Sequence, residues 1–304
     1  MIQAAILGAQ GRMGRAHRDA YTSVGVPVSH QIDLDSYGDV DSVMSDGETD
    51  IISVATPDNQ HALQVLYALE SGKHVFCEKP LCYTRQELED IISIWESQGE
   101  QQHVQQNLVL RGAPIYRWLG DAISQGKLGR IYSFDAEYVY GRLEKLKNGW
   151  RGTISDYSVL LGGGIHLVDL MLWLTGGEPH TVTSHGVKSA GFDFPDHVCS
   201  TFLFENDLVG RITANFSAVH PHTHILRVYG TEGTFILDDF GPRLYFDSNE
   251  PVQRLNVPVL PPSKGCLIPG FISDICEEKD PQQAFSREIT LMSTVLAAQE
   301  SLSP

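Results

Sequence analysis

The feature that most constrains this chain is its beginning, where an apolar run from Ile2 to Leu7 ends in Gly8-Ala9-Gln10-Gly11-Arg12-Met13-Gly14 and a helical pattern follows at once. Glycines at a strand-to-helix turn let the backbone approach a pyrophosphate, whose charge is then met by free N–H groups and the helix N-terminus. The spacing is G-x-x-G-x-x-G, with Ala9 where the usual G-x-G-x-x-G would align its first glycine. Asp33 lies 22 residues beyond Gly11. That is close to the ~20 expected before an acidic residue that grips ribose hydroxyls, and Asp35 is the fallback.

The same texture continues to about Gly112. Strand-like runs at Ile2 to Leu7, Pro27 to Ile32, Ile51 to Ala55, His74 to Cys77 and His103 to Asn107 alternate with helical patterns at Met13 to Val24, Asn59 to Ser71 and Arg85 to Gln98. This is the pattern of a parallel sheet covered on both faces and joined by right-handed crossovers. A helix is expected from Pro114 to Gln125 and a strand from Ile131 to Val139. The run Gly162-Gly163-Gly164 then opens an amphipathic helix to Leu174. Six further strand-like runs lie between Thr181 and Phe246, Pro258 to Pro262 reads as a loop, and a last helix is expected from Pro281 to Glu300. The fold expectation is α/β, with an N-terminal Rossmann-type doubly wound parallel sheet over residues 1–112. A C-terminal α+β domain with a largely antiparallel sheet follows over 113–304.

With 304 residues, 42% of them hydrophobic, the chain can bury a sizeable core, and disorder is excluded. Its net charge of −16 without a clear basic cluster argues against a nucleic-acid partner. Five cysteines without C-x-x-C spacing point to reduced thiols in a cytoplasmic protein. There is no basic stretch ahead of Ile2 and no apolar run of ~20 residues, so neither a signal peptide nor a membrane span is expected. Residues 1–110 hold 6 Lys and Arg against 16 Asp and Glu, and Asp19 to Gly72 holds no cation at all. A 2′-phosphate would need a nearby cation, so the acidic stretch favours NAD over NADP.

Two further motifs follow, Thr56-Pro57-Asp58-Asn59-Gln60-His61 and Gly72-Lys73-His74-Val75-Phe76-Cys77-Glu78-Lys79-Pro80. Together with the turn, they resemble the glucose-fructose oxidoreductase and inositol dehydrogenase (Gfo/Idh/MocA) family, and Gly126 to Ile131 looks like the family's entry to its second domain. The resemblance implies a nicotinamide cofactor held by Gly8, Ala9, Gln10, Gly11, Arg12, Met13, Asp33, Thr56, Pro57, Asn59, His61, Glu78, Lys79 and Asn107. It also implies that Lys79 sits beside the nicotinamide, where the ammonium form is disfavoured.

The resemblance extends to Gly162-Gly163-Gly164-Ile165-His166-Leu167-Val168-Asp169. His166 and Asp169 are spaced i, i+3 and share a helix face. The family pattern is D-x-x-x-H, and here Gly162 stands where the aspartate would be. Asp156, Tyr157 or a rearranged contact is the candidate substitute. Lys79 and His166 are the expected catalytic residues, and Arg111, Tyr157 and Asp169 the further substrate contacts. Gln106, Trp150 and Arg151 stand near them with packing roles equally in view. His220, His222 and His224 alternate without a carboxylate partner, and no metal is expected.

The leading functional expectation is hydride transfer between NAD and a secondary alcohol or ketone of a sugar, polyol or sugar nucleotide, by a homodimer or homotetramer without nucleic-acid or membrane partners. The alternatives are an NAD-dependent glycosidase of the same family and a non-catalytic NAD-binding regulatory protein. The turn at Gly8 to Gly14 is also close to that of dihydrodipicolinate reductase, which leaves the E-K-P region unexplained.

Overall fold

The computed structural model describes residues 2–33, 40–154 and 157–302, and the chain divides into two compact units. The first comprises the chain up to Gly112 together with Pro261–Ser293, and the second comprises Ala113–Leu260 with the residues from Thr294 onward.

In the first unit, β1 (Ala4–Leu7), β2 (Val28–Ile32), β3 (Ile51–Val54), β4 (His74–Cys77) and β5 (Val104–Gln106) form a parallel sheet in the order β2-β1-β3-β4-β5. β1 and β3 are buried at every residue, which is why they read in the sequence as continuous apolar runs rather than alternating ones. Helices α1 (Arg12–Ser23), α2 (Val40–Ser45), α3 (His61–Glu70) and α4 (Arg85–Ser97) connect them. α1 buries Gly14, His17 and Tyr21, an i, i+3, i+7 stripe. Thr84 starts α4 with a capping box: the Glu87 N–H donates to Thr84 Oγ1, and the Thr84 N–H donates to the Glu87 carboxylate. Lys73 is a structural lysine whose Nζ donates to the carbonyls of Asp46 and Thr49, at 2.7 Å each.

The second unit is built on an eight-stranded sheet in the order β13-β12-β11-β10-β6-β9-β8-β7. It opens with α5 (Pro114–Ser124), which has proline in its first turn, and β6 (Ile131–Val139). After α6 (Leu143–Lys147), a π-helical turn at Leu160–Gly164 runs directly into α7 (Ile165–Thr175). α7 is not amphipathic as expected: eight of its eleven residues are buried, and Gly176 ends it at φ +70. The strands β7 (Thr181–Val187), β8 (His197–Leu203), β9 (Val209–Asn215), β10 (Thr223–Gly230), β11 (Thr234–Asp238), β12 (Gly241–Tyr245) and β13 (Gln253–Arg254) follow. β6 pairs in parallel with β9, and every other neighbouring pair is antiparallel. Phe134, Ala136 and Tyr138 alternate inward along β6, while Asp135 on the opposite face accepts a two-pronged pair of hydrogen bonds from Arg211 at 2.9 and 2.6 Å.

The chain then returns to the first unit. Residues 261–293, which the sequence pattern groups with 113–304, supply α8 (Ile268–Cys276) and the start of α9 (Gln282–Glu300). α8 lays Ile268, Phe271 and Ile272 against Ala4, Ile6, Tyr21, Val26 and Phe76, giving that part of the sheet its apolar cover. Neither α2 nor α8 is anticipated by the sequence pattern.

His74 opens β4 with its Nδ1 accepting the backbone N–H of His103 at 3.0 Å, and the two imidazole rings lie 5.4 Å apart. Burial first, and the neighbouring His103 second, push His74 down to about 4. A base whose folded pKa is depressed contributes stability above its unfolded value near 6.5 and loses it as pH falls toward 4. Between those limits the urea midpoint is expected to drop by an equivalent of about 1–3 kcal/mol from this group. His74→Asn, whose amide oxygen accepts the same N–H without titrating, should show a shallower slope, and equal slopes would refute the assignment.

Candidate functional site

The turn after β1 is held by two glycines that admit no side chain. Gly8 sits at φ +82, and a Cβ there would lie 2.5 Å from the Ala55 carbonyl oxygen. A Cβ at Gly14 would lie 2.2 Å from the Gly8 carbonyl oxygen, so α1 can approach the turn only with glycine at that position. Gly11 is the N-cap of α1 and Arg12 and Met13 form its first turn, where backbone N–H groups have no partner within the helix. Ala9 is buried, whereas Gln10, Gly11 and Arg12 are exposed, as a surface that meets a ligand requires.

Asp33 comes to the same place. Its carboxylate accepts the Gln10 N–H at 3.0 and 3.2 Å, so the acidic residue after β2 is fixed beside the turn. Leu7, Gly8, Ile32, Asp33, Val40, Thr56 and Gln64 line a cleft at the carboxyl ends of β1, β2 and β3. This is where the strand order reverses and open α/β sheets take their ligands. The alternative acid, Asp35, lies outside the described residues.

The next two motifs are tied to each other. Pro57 precedes the turn Asp58–Gln60, on which Asn59 is exposed, and Thr56 Oγ1 donates to Gln64 Oε1 at 2.7 Å. His61 is fully buried, with Nδ1 2.6 Å from the Pro80 carbonyl and Nε2 3.0 Å from the Thr56 carbonyl. One imidazole thus joins the loop after β3 to the Lys79-Pro80 turn after β4. The Leu81 N–H donates to Gln106 Oε1 at 2.7 Å and fixes the turn from the side of β5.

Glu78, immediately before Lys79, is buried in a polar network. His17 Nε2 lies 3.1 Å from Glu78 Oε1, and His17 Nδ1 lies 2.9 Å from Ser53 Oγ. Asn107 Nδ2 donates to Glu78 Oε1 at 2.7 Å and to the Lys264 carbonyl at 2.8 Å. Burial by itself would raise the Glu78 carboxyl, but its hydrogen bond and charge interaction with His17, the Asn107 amide and the nearby Lys79 outweigh that and hold it below the usual range. Lys79 itself is 8% exposed. Arg111 lies 3.6 Å from Glu288, a buried carboxylate that also accepts from Gln106 Nε2 at 2.8 Å.

In the second unit, His166 and Asp169 are both buried on the first turns of α7. The His166 ring lies parallel to Tyr138, with centroids 6.3 Å apart. Tyr138 also stacks on Phe216 at 5.7 Å and meets His222 and His224 at 5.2 and 5.1 Å. Burial first, and Tyr140 second, push Tyr138 up to about 12, so it is a neutral phenol. The three glycines before His166 each have a neighbour in the way of a side chain. At Gly162 a Cβ would lie 1.8 Å from the Tyr157 hydroxyl, at Gly163 2.7 Å from Tyr138, and at Gly164 3.1 Å from Leu160. Tyr157 fills the space that a residue-162 side chain would need, and Arg151 Nε donates to its oxygen at 3.1 Å. Asp156, the other candidate substitute, lies outside the described residues.

The described residues of the first unit therefore bring Gly8, Asp33 and Thr56 to one cleft, and Glu78, Asn107 and His61 to the framework of the Lys79 turn. Those of the second bring His166 and Tyr157 to one aromatic cluster. His17, Ser53 and Gln64 were not singled out in the sequence. The only signal for His17 is its place three residues after Gly14 on the buried stripe of α1. Among the described residues, no group of three His, Cys, Asp or Glu side chains is arranged to hold a metal ion, and no helix is long and apolar enough to cross a membrane.

Comparison with known proteins agrees with this architecture. Residues 16–106 match the family model described as an oxidoreductase family with an NAD-binding Rossmann fold, and residues 116–236 match the GFO/IDH/MocA C-terminal domain. The chain is 26% identical over 229 residues to inositol 2-dehydrogenase 2 of Saccharopolyspora erythraea, covering 68% of this chain and 65% of that one. It is 28% identical over 204 residues to 1,5-anhydro-D-fructose reductase of Ensifer adhaerens, covering 65% and 59%. The matches thus span less than two thirds of either relative. A levoglucosan dehydrogenase solved in complex with NADH and levoglucosan superposes with a TM-score of 0.82 over 99% of this chain and 96% of that one, at 20% identity. With both of its domains matched, the chain belongs to the Gfo/Idh/MocA family of oxidoreductases and carries that family's NAD-binding Rossmann-fold domain.

Proposed function

We propose that the protein is an NAD-dependent oxidoreductase acting on a secondary alcohol, or the corresponding ketone, of a sugar, polyol or sugar nucleotide. The observation that carries this reading is the convergence, at the carboxyl edge of one parallel sheet, of a side-chain-free pyrophosphate turn, a fixed acid at the end of β2 and a buried lysine held by its neighbours. Enzymes acting on inositol, anhydrofructose and levoglucosan among the similar proteins support the substrate class.

The residues present fit a dinucleotide. The turn from Gly8 to Met13 would receive the pyrophosphate at the start of α1, on the N–H groups of Arg12 and Met13, since those of Gly8, Ala9, Gln10 and Gly11 are taken by Ile32, Asp33 and Gly8 itself, and Asp33 would accept hydrogen bonds from a ribose diol. Thr56, Pro57, Asn59 and His61 would shape the neighbouring wall, and Glu78 and Asn107 would hold the Lys79 turn. When bound, the nicotinamide supplies the hydride acceptor or donor. The protein's part is to orient the reacting carbon and to move a proton at the substrate oxygen. We assign the acid–base work to Lys79 in the first unit and His166 in the second. Arg111, Tyr157 and Asp169 are assigned to substrate positioning. Residues 1–112 serve as the cofactor domain and 113–304 as the substrate and assembly domain, with 261–293 completing the core of the first unit.

The face of the eight-stranded sheet that carries Asp135, Arg211 and the exposed Val209 is proposed to be covered in a homodimer or homotetramer. The free thiols fit a cytoplasmic location.

Two measurements test this reading. With NAD+ and a panel of polyols, sugars and sugar nucleotides, at least one compound should give reduced nicotinamide by its absorbance. Lys79→Ala and His166→Ala should each lower kcat by about 10²–10⁴, and unchanged turnover in both would overturn the catalytic assignment. For the cofactor, calorimetry should find NAD bound at least about tenfold more tightly than NADP, and Asp33→Ala should weaken NAD by about tenfold. Equal affinity for the two dinucleotides would overturn the role given to Asp33.

A further inference from the structure

The buried face of α3 consists of His61, Ala62, Gln64, Val65, Ala68 and Leu69. His61 is accounted for by its two carbonyl contacts, which leaves Gln64 as the polar side chain of that face without a stated role, and it is only 6% exposed. Its oxygen is answered, because Thr56 Oγ1 donates to Gln64 Oε1 at 2.7 Å. A hydroxyl has a single proton to give, so the same bond fixes which way the amide faces. The two Nε2 donors have no partner among the described residues, and the nitrogen is not sealed from solvent. Packing alone would explain an apolar side chain at this position, and a loop tie to Thr56 would explain the oxygen. Neither explains a nearly buried pair of N–H donors left unmet, which is costly unless something arrives to accept from them.

What could accept follows from the rest of the cleft that Gln64 lines with Leu7, Gly8, Ile32, Asp33, Val40 and Thr56. In the dinucleotide reading Asp33 is given to a ribose diol and the N–H groups of Arg12 and Met13 to the pyrophosphate, while the Thr56 proton is already given to Gln64. What remains is an apolar wall of Leu7, Ile32 and Val40 with one neutral amide donor set in it, and none of these lining residues is a lysine or an arginine. A phosphate or carboxylate would call for a cation there. A flat heteroaromatic ring, apolar on its faces and with lone pairs on its edge, suits such a wall. The base of a nucleotide is joined directly to the ribose, so a ribose held at Asp33 brings its base to the wall where Gln64 stands.

We propose that the Gln64 amide donates to a ring nitrogen of the adenine of the bound dinucleotide, and that Thr56 is the positioning residue that turns the amide nitrogen to the cleft. The proposal rests on the reading of this cleft as the dinucleotide site, and it adds recognition of the base to contacts assigned so far only to ribose and pyrophosphate. Adenine offers acceptor lone pairs at ring nitrogens 1, 3 and 7, whereas its exocyclic amino group is a donor and is no partner for Nε2. A site built to hydrogen-bond one such nitrogen rejects an analogue that lacks it, because the buried amide is then left unpaired.

The test is calorimetric titration of the whole protein with NAD+ and with its 1-deaza-, 3-deaza- and 7-deazaadenine analogues, each of which replaces one ring nitrogen by C–H and leaves ribose, pyrophosphate and nicotinamide as they are. One of the three should bind about tenfold more weakly than NAD+, and its identity names the nitrogen that Gln64 meets. Gln64→Leu, close in volume and without donors, should bind NAD+ about tenfold more weakly than the parent and should no longer distinguish NAD+ from that analogue. Gln64→Met answers the same question if Gln64→Leu fails to fold. Thr56→Val, which keeps the amide but releases its orientation, should reduce the discrimination without abolishing it. Equal binding of NAD+ and all three analogues by the parent overturns the proposal, and so does NAD+ affinity unchanged in Gln64→Leu. Discrimination that persists in Gln64→Leu also overturns it, since another group then reads the base. The outcome is separable from the oxidoreductase reading: tight NAD+ binding and turnover with no discrimination among the analogues defeats this proposal and leaves that reading intact. Discrimination through Gln64 with no hydride transfer to any compound does the reverse, and failure of NAD+ itself to bind defeats both.

Discussion

One buried carboxylate ties the first unit together at its carboxyl edge. Glu78 receives His17 from α1 and Asn107 from the end of β5, while His17 reaches Ser53 on β3 and Asn107 reaches the carbonyl of Lys264 in the returning chain. Four segments distant in sequence thus converge on the residue before Lys79. A largely buried carboxylate is costly unless its charge is answered, and here the imidazole, the amide and the nearby lysine answer it. The consequence is a lysine whose backbone has little freedom, since the Pro80 carbonyl is also held by His61 and the Leu81 N–H by Gln106. Site geometry held by such a network is what preorganised proton chemistry needs.

The second constraint is an absence of side chains. At Gly8 and Gly14 the backbone of the turn is packed against Ala55 and against itself, and at Gly162, Gly163 and Gly164 the segment before α7 is packed against Tyr157, Tyr138 and Leu160. The first set packs the turn directly against the end of β3 and the start of α1. The second brings a helix start close to an aromatic sheet, and the helix widens there into a π-helical turn, a deviation frequent at functional sites.

Much of this was legible in the sequence because the relevant signals are local. β1 and β3 are buried on both faces, so their runs are uniformly apolar, and the glycine turn, T-P-x-x-x-H and E-K-P are short motifs whose residues act within a few positions of each other. What could not be read is what depends on tertiary return. The stretch 261–293 joins the first unit because Ile268, Phe271 and Ile272 match an apolar surface contributed by β1, α1 and β4, and no local pattern names that partner. His17 reads as an ordinary helix residue until Glu78 and Ser53 are placed on either side of its ring. The substitution of Gly162 for an acid is plain in the sequence, but only the placement of Tyr157 explains why a larger residue has no room there. Lys73, part of the same G-K-H-V run as the E-K-P motif, is a loop tie rather than a surface cation.

The most direct test is a crystal structure of the protein with NAD+. The expected result has the pyrophosphate on the N–H groups of Arg12 and Met13 at the start of α1, the adenosine ribose hydroxyls on Asp33, whose carboxylate then leaves or shares the Gln10 N–H, and the nicotinamide ring beside Lys79. A dinucleotide bound with its ribose away from Asp33, or with its nicotinamide remote from Lys79, would contradict the assignment of this sheet edge as the redox site.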